Sequence, residues 1–112
     1  MARKSAPADD VLRGALVLVN KSKTWTQGAV ARDRLDAPLS VAWDARAVRW
    51  CALGALQKVA FDLAGEHAAA AARLVRAATL KLTWGSDCTV PYVNDYEGRK
   101  AVVRLFKKAL AA

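Results

Sequence analysis

The chain has few residues of the kinds that cross-link a fold or hold a metal ion. Its 112 residues include two cysteines and one histidine. A single disulfide would be a thin framework for a secreted domain, so we expect Cys51 and Cys88 to be thiols in a reducing cytosol. Together with His67 they lack the C-x-x-C or H-x-x-x-H spacing of zinc sites. We therefore predict no metal site and no cofactor.

Long apolar runs are also missing, and a secretory leader is not expected. No apolar stretch approaches the roughly 20 residues that span a membrane. The basic residues Arg3 and Lys4 are followed by Asp9 and Asp10 and not by an apolar segment. We expect no membrane insertion, no signal peptide and a cytoplasmic protein.

What the chain does contain is enough apolar material for a fold. Hydrophobic residues make up 54% of the sequence, which suffices for one core at this length. No internal repeat or low-complexity linker divides it. We predict a single domain over residues 1–112, with a loose basic tail at residues 1–7.

Apolar periodicity predicts four helices, which makes the fold class mainly α. The first is expected to start after Asp9 or Asp10 and to end near Val19. The second is expected to cover residues 45–64, the third residues 66–80, and the last a stretch that ends near residue 110. The other expected N-caps, whose side chains accept free backbone N–H groups, are Asp44 and either Asn94 or Asp95.

Two segments interrupt the helical pattern. Residues 24–43 contain Gly28 and Pro38, and residues 39–43 alternate as a short strand would, so an irregular or short β-hairpin segment is predicted after the first helix. Residues 84–93 are predicted to form a turn because they include Gly85 and Pro91.

The predicted second helix has an apolar face and a flank of small residues. Its expected buried residues are Val48, Ala52, Ala55, Leu56, Val59 and Leu63. Its small flank, which would let another helix approach closely, is Ala47, Cys51 and Gly54.

Cys51 is the first candidate for chemistry. A nucleophilic thiol needs a helix N-terminus or a histidine beside it, and His67 on a neighbouring helix is the one histidine available. The predicted helix places Cys51 about two turns inside, beyond the reach of the helix dipole. We predict a buried structural cysteine and no catalytic residue.

A set of polar residues in loops and at helix starts is the main candidate binding site. It consists of Trp25, Gln27, Arg32, Asp33, Asn94, Asp95 and Arg99. A structural alternative stays open for its members: Asn94 or Asp95 caps the last helix, and Arg32 and Asp33 form an ion pair in a turn.

Aromatic residues could stack on bases or wedge between helices. Of the four tryptophans, Trp25 and Trp43 lie in or beside the irregular segment, so partial exposure is predicted for them rather than for Trp50 and Trp84. The remaining pair, Tyr92 and Tyr96, is predicted to pack with its polar tips outward.

The charge balance and the last helix point to an acidic partner. The chain has 18 Lys and Arg against 10 Asp and Glu, a net charge of +8 that favours encounter with nucleic acid. The predicted last helix has one apolar side and a basic face of Lys100, Arg104, Lys107 and Lys108. A solvated face is the simpler alternative, and no recognised nucleic-acid module accompanies it.

Three motifs together suggest a family. They are W-T-Q-G-A-x-A-R-D at residues 25–33, D-A-x-A-V-x-W-C-A-L-G-A-L at residues 44–56 and N-D-x-x-G-R at residues 94–99. The chain resembles a family of small bacterial and phage-borne proteins of unknown function over residues 9–110. It departs from the pattern at Val93, where an aromatic residue is expected, and at Lys100, where a small polar residue is expected. The resemblance implies no reaction, cofactor or catalytic residue.

Three functional hypotheses follow. The first is a non-enzymatic module that binds nucleic acid or another acidic partner. The second is a small-ligand binder or enzyme that uses Gln27, Arg32, Asp33, Asn94 and Asp95. The third is a structural protein that associates with itself through apolar helix faces. The first is favoured, and the oligomeric state is left open.

Overall fold

Helices make up most of the chain, as the sequence predicts. The structure, a computed structural model, describes residues 7–65, 67–83 and 89–111. In chain order its elements are α1 (Pro7–Val19), β1 (Ala31–Arg32), β2 (Pro38–Leu39), β3 (Arg49–Trp50), α2 (Ala52–Ala64), α3 (Ala68–Thr83), α4 (Val90–Tyr92), a π-helical turn (Val93–Glu97) and α5 (Arg99–Ala111). The predicted mainly α fold class, with a short β segment after the first helix, is confirmed.

Helix α1 begins before its predicted caps. Its first residue is Pro7, whose fixed φ suits a first helical turn, and Asp9 and Asp10 lie within that turn. Pro7 is therefore helical and not part of a tail, while residues 1–6 of the predicted tail lie outside the described residues. On its apolar face Leu12, Ala15 and Val19 are fully buried.

A small sheet has one more strand than the predicted hairpin, since β1 and β2 lie in the irregular segment and β3 follows it. Its order is β2-β1-β3, and both pairings are antiparallel. Ala31 of β1 lies opposite Leu39 on one side and Trp50 on the other, and all three side chains are buried. The strand predicted over residues 39–43 ends at Leu39, because the chain then turns away from β1.

Helix α2 starts seven residues later than predicted, which corrects its cap and part of its buried face. Asp44 does not cap it; its carboxylate accepts from the backbone N–H of Arg46 at 2.8 Å and closes a local turn. The chain then forms β3, and Cys51 is the N-cap of α2. Val48 consequently lies in a loop, and it is exposed, as is Leu63 near the end of α2.

Gly54 allows a close approach, but of a loop and not of a helix. A Cβ at this position would lie 1.8 Å from the backbone oxygen of Val30, in the segment that leads into β1. The same stretch is linked to the cap, since the Cys51 N–H donates to the Val30 oxygen at 3.4 Å. The glycine therefore lets the sheet segment lie directly on the first turn of α2.

Helix α3 follows the prediction closely. It spans Ala68–Thr83, and it buries Ala78 and Leu82 while Leu74 and Val75 are half-buried. Its lysine near the end, Lys81, forms an ion pair with Asp9 of α1. This contact joins the last turn of α3 to the first turn of α1.

The segment before α5 is helical where a turn was predicted. Residues 84–88 lie outside the described residues, but Pro91 lies in α4 and Asn94 and Asp95 lie in the π-helical turn. Helix α5 begins at Arg99, after Gly98, whose φ of 88° breaks the helix. Neither Asn94 nor Asp95 therefore caps α5, and that prediction is wrong.

One hydrophobic core joins these elements. It takes its buried side chains from α1, the sheet, α2, α3, α4, the π-helical turn and α5, and Phe106, Leu12 and Leu56 are the largest that are fully buried. Among the described residues, no helix combines the length and the apolar character that crossing a membrane requires.

Candidate functional site

Asn94 is the centre of the hydrogen bonds that join two of the sequence motifs to the start of α2. Its side chain is fully buried. The oxygen accepts from the indole Nε1 of Trp25 at 2.7 Å and from the backbone N–H of Ala52 at 2.9 Å. The amide nitrogen donates to the backbone oxygen of Thr26 at 3.0 Å and to the carboxylate of Asp95 at 3.1 Å. Both donors and both acceptor sites of this amide are used.

Gln27 and Gly28 extend these contacts to the surface. The Gln27 amide donates to the backbone oxygens of Asn94 at 2.9 Å and Asp95 at 3.1 Å. The N–H of Gly28 donates to the Asp95 carboxylate at 3.2 Å, and its φ of 78° gives the loop a turn that other residues rarely adopt. We call Trp25, Thr26, Gln27, Gly28, Ala52, Asn94 and Asp95 the Asn94 network.

Arg32 supports the same loop from the sheet side. Its guanidinium donates to the Thr26 hydroxyl at 2.9 Å and to the backbone oxygens of Gln27 and Asp36, each at 3.0 Å. A planar guanidinium with three fixed partners acts as a brace. The predicted ion pair with Asp33 does not form; the carboxylate nearest Arg32 is that of Asp36, at 3.9 Å.

Asp33 and Arg99 lie apart from the Asn94 network. The Asp33 carboxylate accepts from the backbone N–H groups of Leu35 and Ala37, both at 2.9 Å, and so shapes the turn between β1 and β2. Arg99 donates to the backbone oxygen of Asn20 at 2.8 Å, where its charge complements the C-terminal end of α1. The structure thus brings together Trp25, Gln27, Arg32, Asn94 and Asp95 of the predicted set.

The polar groups of this cluster are engaged with one another. The adjoining surface is an open depression of about 440 Å³, lined by Ser22, Trp25, Thr26, Gln27, Arg32, Asp36 and Arg49. The donors and acceptors that hold the loop point at partners within the chain, so the arrangement suits holding two motifs together better than it suits proton transfer.

Cys51 occupies a different place from the predicted one. As N-cap of α2 its sulfur accepts from the N–H of Gly54 at 3.2 Å, and the residue is 7% exposed. Burial, the largest influence, raises the pKa of this thiol although the helix N-terminus favours the thiolate. It lines a cavity of about 260 Å³ with Ala29, Val30, Leu53, Pro91 and Asp95.

His67 does not meet Cys51. It lies beyond the C-terminal end of α2, whereas Cys51 caps the N-terminal end, and a 13-residue helix separates them by about 20 Å. Within the described ranges no group of three metal-binding side chains is present, and Cys88 lies outside those ranges.

The tryptophans divide as predicted where they are described. Trp50 is buried and its Nε1 donates to the backbone oxygen of Ala42 at 2.8 Å, while Trp25 is half-buried. Trp43 is 44% exposed and stacks on Phe61, with ring centroids 5.1 Å apart and planes 9° from parallel. Trp84 lies outside the described residues.

Tyr92 and Tyr96 are surface residues. Their exposed fractions are 50% and 78%, and their ring centroids lie 5.0 Å apart. The rings contact each other next to the start of α5, and both remain at least half exposed. They leave an aromatic pair beside the basic helix.

Helix α5 has the two sides that the sequence predicts. Val102, Val103, Phe106 and Ala109 are buried. Its basic face, which we define as Lys100, Arg104, Lys107 and Lys108, is exposed along its whole length. No ion pair forms between this face and a carboxylate within the described part of the chain.

Comparison with known proteins gives one family. A family model described as "Family of unknown function (DUF6197)" matches residues 3–112, a range that includes all three motifs. The match confirms the resemblance predicted from the motifs. No curated protein and no solved structure matches the chain.

Proposed function

The chain belongs to this family of unknown function, and we propose that it is a non-enzymatic module that binds nucleic acid through the basic face of α5. The observation that carries the proposal is the exposure of this face without a carboxylate partner among the described residues. The basic face would contact the phosphates of the nucleic acid, since a row of cations binds phosphates independently of base sequence.

The spacing of the four cations fits a phosphate backbone. They occupy positions i, i+4, i+7 and i+8 of α5, so they lie on one side of the helix, opposite its buried residues. Eight residues of helix extend about 12 Å, which lets several neighbouring phosphates be contacted at once. The helix itself is held by the core, so little ordering is needed on binding.

The aspartates that the structure describes are engaged away from this face. Most of the aspartates in the described residues pair elsewhere, in the ion pairs Asp9–Lys81, Asp10–Arg13, Asp36–Arg49, Asp44–Arg46 and Asp62–Lys58. Asp33 and Asp95 accept backbone N–H groups. The cations that have no carboxylate partner among the described residues therefore include those of the basic face of α5.

The exposed tyrosine pair supports single strands as the preferred form. Unpaired bases stack on aromatic rings, and proteins that bind single strands combine such rings with a cationic track. Tyr96 precedes Lys100 by four residues, which limits their separation to about 14 Å. A strand lying on the basic face would therefore reach the aromatic pair within a few nucleotides.

The other two hypotheses have weaker support. A small-ligand or catalytic role for the Asn94 network would require polar groups that are engaged in the fold. Self-association would need a continuous apolar patch, whereas the exposed aliphatic residues Val17, Leu35, Val48, Leu63 and Leu80 are spread over different helices and loops.

Fluorescence anisotropy of a labelled oligonucleotide across a salt series tests the proposal. We expect log affinity to fall linearly with log salt, with a slope of about −3 for a single strand if all four cations bind phosphates. The triple variant R104E/K107E/K108E should bind more weakly and reduce the slope by about 2.

A matched control separates the face from the net charge. The variant K21E/K23E/R34E removes the same charge from exposed residues near the sheet. It should retain most of the binding and the slope. Equal losses in both variants, or no binding by the unmodified protein at low salt, would contradict the proposal.

A further inference from the structure

A groove between α2 and α3 lies away from both the Asn94 network and the basic face of α5. Its volume is about 340 Å³, and it is lined by Trp43, Gln57, Phe61, Ala68, Ala71, Ala72, Val75 and Arg76. Most of these side chains are apolar. A volume near 300 Å³ with mainly apolar walls is typical of small-ligand sites.

The groove exists because one of its walls carries small side chains. Helix α3 places Ala68, Ala71 and Ala72 toward it, at positions where larger residues would fill the space between the helices. The opposite wall is aromatic, formed by the stacked rings of Trp43 and Phe61. Trp43 remains 44% exposed, so nothing in the described chain covers this wall completely.

Arg76 gives the groove a charge. It lines the same space, it is exposed, and it has no ion pair with any carboxylate of the described residues. Asp62, which follows Phe61 in the sequence, is engaged with Lys58 at 2.8 Å. Gln57 adds a neutral group that can donate and accept. A groove with apolar walls and one cation favours a ligand that has an apolar body and one negative charge.

We propose that this groove binds a small aromatic carboxylate, with the ring against Trp43 and Phe61 and the carboxylate on Arg76. A flat ring adds to the parallel aromatic wall by offset stacking. The guanidinium matches a carboxylate with two parallel hydrogen bonds. The site is independent of nucleic-acid binding by α5.

Titration with 1-naphthoate, followed by amide chemical shifts in ¹H–¹⁵N spectra, tests the proposal. We expect a Kd of about 1 mM or tighter, the value that a modest ligand efficiency gives for about 13 non-hydrogen atoms. The shifts should be confined to residues around the groove. The neutral analogue 1-naphthalenemethanol should bind about tenfold more weakly.

Two pairs of variants assign the contacts. Arg76→Gln should raise the Kd for naphthoate about tenfold and leave the neutral analogue unchanged, while Arg73→Gln, on the same helix but outside the groove, should change neither. Ala72→Leu should fill the groove and abolish binding of both ligands, while Ala69→Leu should leave the binding of both unchanged. Both alanines are exposed, and leucine suits a helix, so the fold is preserved.

The outcomes separate the parts of the proposal. Absence of amide chemical-shift changes at millimolar naphthoate, or changes that Ala72→Leu leaves unaltered, would overturn the proposal that the groove is the binding site. Equal affinity for the neutral analogue, or for octanoate, would overturn the assignment of an aromatic carboxylate. Binding that depends on Arg76 and on Ala72 together supports it.

Discussion

The indole Nε1 of Trp25 donates to the side-chain oxygen of Asn94 at 2.7 Å, across 69 residues of sequence. The same oxygen accepts the backbone N–H of Ala52, the first residue of α2. One buried amide thus joins residues from all three sequence motifs. The motifs that indicated a family therefore meet in space, and their contacts hold the fold.

Asn94→Ala should destabilise the protein strongly. The substitution leaves the buried N–H of Ala52 and the indole of Trp25 without their partner, and each unsatisfied group costs about 1–3 kcal/mol. We expect a loss of about 2–4 kcal/mol in the free energy of unfolding, measured with urea. Gln27→Ala, which removes a more exposed amide, should cost about 1 kcal/mol. Equal, small losses would argue against a central role for Asn94.

Gly54→Ala should prevent the sheet segment from lying on α2. The added Cβ would meet the Val30 backbone oxygen at 1.8 Å, and backbone atoms cannot move aside as a side chain does. We expect a loss of about 4 kcal/mol or failure to fold. Gly14→Ala is the control, because its Cβ would meet only the Val59 side chain, and its thermal unfolding should change less. The reverse order of effects would refute this account.

Cys51 should react slowly with thiol reagents. Burial raises its pKa from 9.0, so the neutral thiol predominates at pH 8. In a Cys88→Ser background, reaction with an aromatic disulfide should be slow in buffer and fast in denaturant. The stabilisation from the neutral thiol is complete below pH 9.0 and is lost as the pH rises through the raised pKa. Fast reaction of the folded protein would contradict this prediction.

Tyr92 and Tyr96 should distinguish single strands from duplexes. Replacing both with alanine removes the stacking surface, which is worth about 1–3 kcal/mol per base. We expect the affinity for a single strand to fall about tenfold or more while duplex affinity changes little. Replacement of both by phenylalanine keeps the rings and should keep the preference. Parallel losses on both substrates would exclude base stacking.

Asp44 should titrate far below an ordinary aspartate. The hydrogen bond from the Arg46 side chain is the main cause that lowers its pKa from 3.8 to about 2. Arg46→Ala should raise the pKa part of the way back toward 3.8 in an NMR titration, because the backbone N–H of residue 46 still donates to the Asp44 carboxylate. The stabilisation from this contact is present above pH 3.8 and is lost as the pH falls through about 2. An unchanged pKa in the variant would assign the shift to another group.

The sequence predicted those elements that contain a clear apolar repeat of their own. The apolar faces of α1 and α5 repeat every three or four residues, and buried positions such as Leu12, Val102 and Phe106 follow that repeat. The start of α2 was misplaced because residues 45–51 continue a helical apolar pattern, while Asp44 has the side chain of an N-cap. In the structure that side chain closes a turn, and a two-residue strand follows. Strands this short carry too little alternation to be detected.

The candidate site was predicted as a list of residues but not as an arrangement. Loop positions and polar side chains selected Trp25, Gln27 and Asn94, which hydrogen bonds join in the structure, while a binding role for them stays a prediction. The partner of Asn94 at Ala52 is a backbone N–H, which has no signature in a sequence. Asp33 and Arg99 have the same polar character as the others, but their contacts are local or directed to α1, and only the fold separates them.

The long reach of Asn94 sets the order in which the fold can be completed. A chain emerging from the ribosome presents Trp25 and the first turn of α2 well before residue 94 is available. Until then the N–H of Ala52 and the indole of Trp25 have water as their partner. Contacts between distant segments form late because the intervening chain must first be ordered. The hydrogen bonds of Trp25 and Ala52 to Asn94 are therefore completed only after the last third of the chain has been synthesised.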